Sequence, residues 1–195
     1  MNLLKKILST GRFRISQNLE FVLRGADGRV KPLFQENKLA VWLMKLGLLS
    51  PRLAHVPLLF GRWAPLKKIS NLVTNAGAAG VASRINGAGS EAAFTYIAVG
   101  TGTTAASVAD TTLQTELAAS GLSRASATAS RVTTDVTNDT AQLVVTFTVT
   151  GTAAVTESGA LNAASVGVLL ARQVFSAINV VNGDSLQVTW KFDVD

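Results

Sequence analysis

The residues of this chain that could do chemistry are few and scattered. Gly100-Thr-Gly102-Thr-Thr-Ala105 comes nearest to a phosphate-cradling loop, in which backbone N–H groups would surround an anion. It lacks the third glycine of a dinucleotide fingerprint and the Gly-Lys-Ser/Thr ending of a P-loop, so a turn leaving an edge strand is expected instead. Two carboxylate pairs, Glu157 with Asp184 and Glu116 with Asp110, have the right chemistry for acid–base work. Turn, cap and surface roles account for each of these four residues. Asp135, Asn138, Asp139 and Asp184 offer oxygen ligands, but without the spacing of a calcium loop. His55 lies in a Pro-rich apolar stretch that suits a hydrogen-bonded structural ring. There is no cysteine, which excludes disulfides, thiolate zinc sites and cysteine nucleophiles, and a single histidine excludes a histidine metal cluster. No catalytic residue, cofactor or metal ligand is expected.

The elements that would have to position these residues divide in two. The 195 residues are 48% hydrophobic and 15% charged, a composition for a folded chain rather than a disordered one. Residues 1–70 carry 13 Lys/Arg against Glu20, Asp27 and Glu36, a balance of +10. Residues 71–195 carry five basic against nine acidic residues, a balance of −4. All four prolines fall in the first part, and Ala, Thr, Gly, Ser and Val dominate the second. The first eight residues are split by Lys5 and Lys6, so no continuous secretion-signal core is expected, and no uncharged run is apolar enough to span a membrane.

In the first part, Leu3, Leu4, Ile7 and Leu8 recur at helical spacing. Phe21 to Lys31 reads as a hairpin turning at Asp27-Gly28, and Lys38 to Leu49 as a helix with Leu39, Trp42, Leu43 and Leu46 on one face. A linking helix is expected from a cap at Ser70 or Asn71 to Ile85, with Gly77 and Gly80 marking close approach of another backbone. Beyond it the pattern is β. Strands are expected over residues 94–99, 124–133, 143–149, 166–174 and 186–194, with a short helix over Asp110–Ala119, a turn at Asn138-Asp139 and a hairpin at Asn182-Gly-Asp184. The expected fold is mainly β: an antiparallel β-sandwich or jelly-roll-like domain over 91–195, a linking helix over 71–90, and a basic, partly helical docking arm over 1–70.

Several runs in the second part share an order. Small residues (Leu72 to Ile85, then Phe94 to Thr104) precede Glu157-Ser-Gly-Ala160, Leu169-Leu-Ala-Arg172 and Gly183-Asp-Ser-Leu-Gln-Val-Thr-Trp190. Over residues 70–195 this pattern resembles structural proteins of tailed bacteriophages. The resemblance implies a non-enzymatic virion component: a capsid decoration or cement subunit, or a neck, collar or tail accessory protein. Its implied partners are the major capsid, portal or connector, or tail proteins, with further copies of itself as a homo-oligomer. The implied location is the virion, after synthesis in the host cytoplasm.

The expected docking residues are Leu3, Leu4, Ile7, Leu8, Arg12, Arg14, Trp42, Arg52, Phe60, Arg62, Trp63, Lys67 and Lys68, in which aromatic and aliphatic anchors alternate with cations. The alternative use of the same segment is nucleic-acid binding, with the cations on phosphates and Trp42 or Trp63 stacked on bases.

Overall fold

The computed structural model describes residues 15–51, 59–70 and 72–194. The chain is mainly β with antiparallel sheets. In chain order the elements are β1 (Ile15–Arg24), β2 (Val30–Lys31), β3 (Leu33–Glu36), α1 (Lys38–Lys45), β4 (Gly61–Ala64), β5 (Lys67–Ser70), β6 (Leu72–Val73), α2 (Asn75–Asn86), β7 (Tyr96–Gly100), β8 (Ala125–Ser126), β9 (Thr128–Val132), β10 (Thr140–Thr148), β11 (Ala153–Leu161), β12 (Leu169–Val180) and β13 (Ser185–Val194). A six-stranded sheet runs β2-β1-β13-β10-β9, with β5 also paired to β1, and a five-stranded sheet runs β6-β12-β11-β7-β8.

The alternation in β10 and β13 fixes which faces turn inward. Leu143, Val145 and Phe147 of β10 and Leu186, Val188, Trp190 and Phe192 of β13 are all buried. They share one core with Ile97, Val99, Val155, Phe175 and Ile178 of the other sheet. Trp190 is fully buried and stacks on Phe192, with ring centroids 5.7 Å apart. Its indole N–H donates to Ser158 Oγ (3.1 Å), and that hydroxyl donates to the Ala98 carbonyl (3.0 Å). A buried indole N–H without such a partner would cost about 1–3 kcal/mol.

The arm expected over residues 1–70 does not stand apart from the β domain across its described residues. β1 pairs with β13 in unbroken register from Ile15↔Val194 to Arg24↔Ser185, and it places Leu19, Phe21 and Leu23 in the shared core. The charge shift near residue 70 marks a change of surface, while the alternation of Leu19, Phe21 and Leu23 with Asn18, Glu20 and Val22 marks a half-buried strand. The β1–β2 hairpin forms as expected, with Gly28 at φ 75°.

Three other expectations are corrected. The Asn182-Gly-Asp184 turn joins β12 of one sheet to β13 of the other, so it is a corner between sheets rather than a hairpin. The helix expected over Asp110–Ala119 is irregular chain, because its backbone N–H groups are taken by a distant carboxylate. The linking helix begins later than expected. Thr74 caps α2, accepting from Gly77 N–H (2.9 Å) and donating to the Leu169 carbonyl (2.5 Å), after Leu72–Val73 has added a short strand to β12.

Of the two interior glycines of α2, Gly77 meets another backbone as expected, whereas Gly80 makes room for the Phe94 ring. A Cβ at Gly77 would fall 2.2 Å from the Leu170 carbonyl oxygen, so the helix backbone lies directly on β12. Replacing glycine by alanine inside a helix ordinarily gains up to about 1 kcal/mol. At this site the clash reverses the sign, and Gly77→Ala is expected to lose roughly 1–3 kcal/mol in denaturant unfolding. A stabilised variant would show that α2 does not pack this closely.

Candidate functional site

The expected docking residues that fall among the described ones gather on a small unit beside the β5 edge of the six-stranded sheet. β3 and β4 form a two-stranded ribbon with Phe34 opposite Trp63, and the two rings meet edge-on at 5.6 Å. Helix α1 follows β3 directly. Asn37 caps it by accepting from Ala40 N–H (2.9 Å), and its side-chain amide donates to the Leu59 carbonyl (2.8 Å). The backbone N–H of Asn37 also donates to the Phe60 carbonyl (2.7 Å), which ties the helix start to the β4 side.

The helix turns most of its large apolar residues outward. Its buried residues are Ala40 and Met44, while Leu39, Trp42 and Leu46 are 46%, 55% and 53% exposed. These three sit at i, i+3 and i+7, so they form one outward stripe. The small face of the helix fits against the sheet, and the large apolar face is left outside. Trp63 (53%) is also exposed, Phe60 is half-buried and Arg62 is exposed. Lys38, Trp42, Lys45 and Lys68 border a hollow of about 390 Å³ whose floor includes Val41 and Ile69. No Asp or Glu occurs anywhere between Glu36 and Glu91.

Lys67 and Lys68 are neighbours with different fates. Lys68 is exposed and pairs with Glu20 at 3.0 Å. Lys67 is fully buried, which removes it from the expected docking set and from any phosphate-binding set. Alternation along β5 turns it inward, where its ammonium donates to Glu36 Oε2 (2.5 Å), the Phe34 carbonyl (2.6 Å) and Ser176 Oγ (2.6 Å). Glu36 Oε1 accepts from the Ser176 N–H (2.5 Å), so one buried ion pair joins the ribbon carrying α1 to strand β12. Leu3, Leu4, Ile7, Leu8, Arg12, Arg14, Arg52 and His55 lie outside the described residues.

Of the four carboxylates singled out from the sequence, Glu157 and Asp184 are buried, while Asp110 and Glu116 are partly exposed. Glu157 is fully buried on the outer side of the five-stranded sheet. Its Oε1 accepts from the N–H groups of Gly102 (3.0 Å) and Thr115 (2.7 Å), and its Oε2 accepts from Gln114 N–H (3.0 Å) and Arg172 Nε (2.8 Å). Arg172 reaches on to Asp110 Oδ2 (2.8 Å) and the Thr104 carbonyl (3.1 Å). Gly100-Thr-Gly102 does leave β7, and it does cradle an anion, but the anion is the chain's own Glu157. A Cβ on either glycine would lie 2.5 Å from Oε1, which explains both glycines without any phosphate.

The other candidate carboxylates are held in the same manner. Asp184 is buried and pairs with Lys31 at 2.6 Å. Glu116 accepts from Nε and Nη2 along one guanidinium edge of Arg124, at 2.9 and 2.6 Å, and Nη1 donates to the carbonyls of Ala163 and Val166. Neither candidate acid–base pair forms: Glu157 and Asp184 have separate partners, and so do Glu116 and Asp110. Among the described residues, no group of three or more His, Asp or Glu side chains could hold a metal ion, and no helix is long and apolar enough to cross a membrane.

Sequence reasoning missed the Glu157–Arg172 and Glu36–Lys67 pairs. The available signal was the placement of each charge within an apolar strand: Glu157 between Val155 and Leu161, Arg172 in Leu169-Leu-Ala-Arg172, and Lys67 next to Ile69.

Burial pushes the Lys67 ammonium down from 10.5 to about 8, against the pull of Glu36. Between pH about 8 and 10.5 the unfolded chain therefore holds more protons at this position than the folded chain. A depressed base disfavours folding while it must stay charged, so its contribution to stability rises with pH across that window. Denaturant unfolding of the wild type and of a Lys67→Met/Glu36→Gln chain should show the wild type gaining relative stability from pH 8 to 10. A flat difference would contradict this placement of Lys67. No family model, curated protein or solved structure matches this chain.

Proposed function

We propose that the chain is a non-enzymatic structural component of a tailed-phage virion, and that its two sheets form a sandwich of jelly-roll type. In this reading it docks through the N-terminal residues and the α1 face onto capsid or connector proteins, and it reinforces or decorates the particle. The observation that carries the reading is where the residues of the resemblance meet. Glu157 of the first motif pairs with Arg172 of the second at 2.8 Å, and Ser158 accepts from Trp190 of the third at 3.1 Å. The shared pattern thus consists of residues that pack one β module.

The physical chemistry agrees with a building block. The buried charges are tied to partners within the chain, which favours a rigid unit over a reactive one. The exposed tryptophans and leucines of α1 and β4, with cations around them, have the composition of a protein-interface core more than that of a phosphate track, because aliphatic side chains add nothing to phosphate or base contacts. A compact module with one clamping face suits lattice reinforcement slightly better than a neck or tail position.

Quantitative mass spectrometry of purified particles tests the proposal. Copy numbers near those of the major capsid protein are expected for a decoration or cement subunit, and one or a few rings' worth for a neck or tail protein. Absence from the particles would overturn the virion role.

A further inference from the structure

We infer that the docking face on α1 receives a second copy of this chain, through the loop between β9 and β10, in a head-to-tail arrangement. The inference rests on the docking role proposed above only in taking the α1 face as an interface; it names the occupant. Three observations lead to it.

The first is the unpartnered stripe of Leu39, Trp42 and Leu46, which are about half exposed and flanked on the same helix by Lys38 and Lys45. It borders a hollow of about 390 Å³, in a stretch of chain that has no carboxylate from residue 37 to residue 90. An apolar stripe flanked by the exposed Lys38 and Lys45 fits an apolar knob beside an exposed carboxylate.

The second is that the chain carries such a knob. In the loop over residues 133–139, Val136 is 68% exposed and Asp135 beside it is exposed. Asp139 holds the loop in shape by accepting from the N–H groups of Thr134 (2.9 Å), Asp135 (2.8 Å) and Val136 (2.6 Å). Asn138 turns the chain with φ 63°. The knob is therefore preorganised, which lowers the entropy cost of docking.

The third is placement. The α1 unit is fastened to β5 through Gln35, which exchanges hydrogen bonds with the Lys68 backbone, and through Glu36–Lys67. β5 and β9 lie at opposite edges of the six-stranded sheet. Face and knob on opposite edges cannot satisfy each other within one chain, so each is left to a neighbouring copy. Head-to-tail contact uses both, and repeated at a fixed rotation it closes a ring or continues as a filament.

The test uses charge exchange in the purified full chain, with mass measured by light scattering across a concentration series. The wild type is expected to self-associate at low salt and to weaken as salt rises. Lys45→Glu and Asp135→Lys should each stay monomeric alone, since both residues are exposed and the fold does not depend on them. Mixed in equal amounts, the two variants should assemble as alternating copies, because the intact knob of one meets the intact face of the other and the two exchanged charges meet at the next contact. A chain carrying both substitutions should recover self-association. A wild type that remains monomeric, single variants that assemble like the wild type, or a mixture that does not assemble would each overturn the inference. The outcome is separable from the virion role: a monomer in solution that is abundant in particles removes only the self-association. A chain that assembles as described but is absent from particles removes only the virion role.

Discussion

The structure depends on one buried ion pair, Glu157 with Arg172. Glu157 lies on β11 and Arg172 on β12, on the side of the five-stranded sheet facing away from the main core, where an uncovered sheet would present its outer face to water. Their side chains instead hold a long irregular segment against that face. Three backbone N–H groups and a guanidinium converge on a single carboxylate, and the guanidinium extends to Asp110 and Thr104. Leu113 then plugs into a second, small apolar cluster with Ala98, Leu161 and Leu169. Removing either charge would leave the other buried and unpaired, at a cost of about 3–5 kcal/mol. Such an arrangement is retained for geometry rather than for net stability, since two apolar residues of similar volume could stabilise the site as well.

The same device recurs at the other places where irregular chain must lie on a sheet. Lys67–Glu36 joins the α1 ribbon to β12, Lys31–Asp184 joins the β1–β2 hairpin to the corner between sheets, and Arg124–Glu116 holds the turn around Val166. Each pair links segments that neither share a strand ladder nor bury much apolar area together. The chain thus has an apolar core between its sheets and an ionic framework at the margin of that core and outside it. That division accounts for a low charge content in which so many of the charges are buried.

How much of this was legible beforehand follows from how local the information is. Alternation along Leu143–Val149 and Leu186–Phe192 announces two strands and their inner faces, and Gly77 of α2 announces a backbone contact, because each signal lies within one element. The role of Asp110–Ala119 was not legible. Its helical spacing is real, but its N–H groups bond to a carboxylate more than 40 residues away. The orientation of α1 was hidden for a related reason: its largest apolar stripe faces outward, against the rule that such a stripe marks the core. A reading from charge alone likewise placed β1 in an arm, where pairing with β13 over the full strand places it in the sheet. Exposed apolar faces and buried charges are the two features a local pattern misreads, and here they bear most on function.

The central claim is that the Gly100–Glu116 segment is part of the folded framework because its amides end on a buried carboxylate. Hydrogen exchange resolved at single amides tests it directly, at the N–H groups of Gly102, Gln114 and Thr115. These three should exchange together and only on global unfolding, as slowly as the central amides of β13, although they lie in irregular chain. Exchange as fast as in an ordinary exposed loop would contradict the account, since it would mean that Glu157 does not hold the segment down.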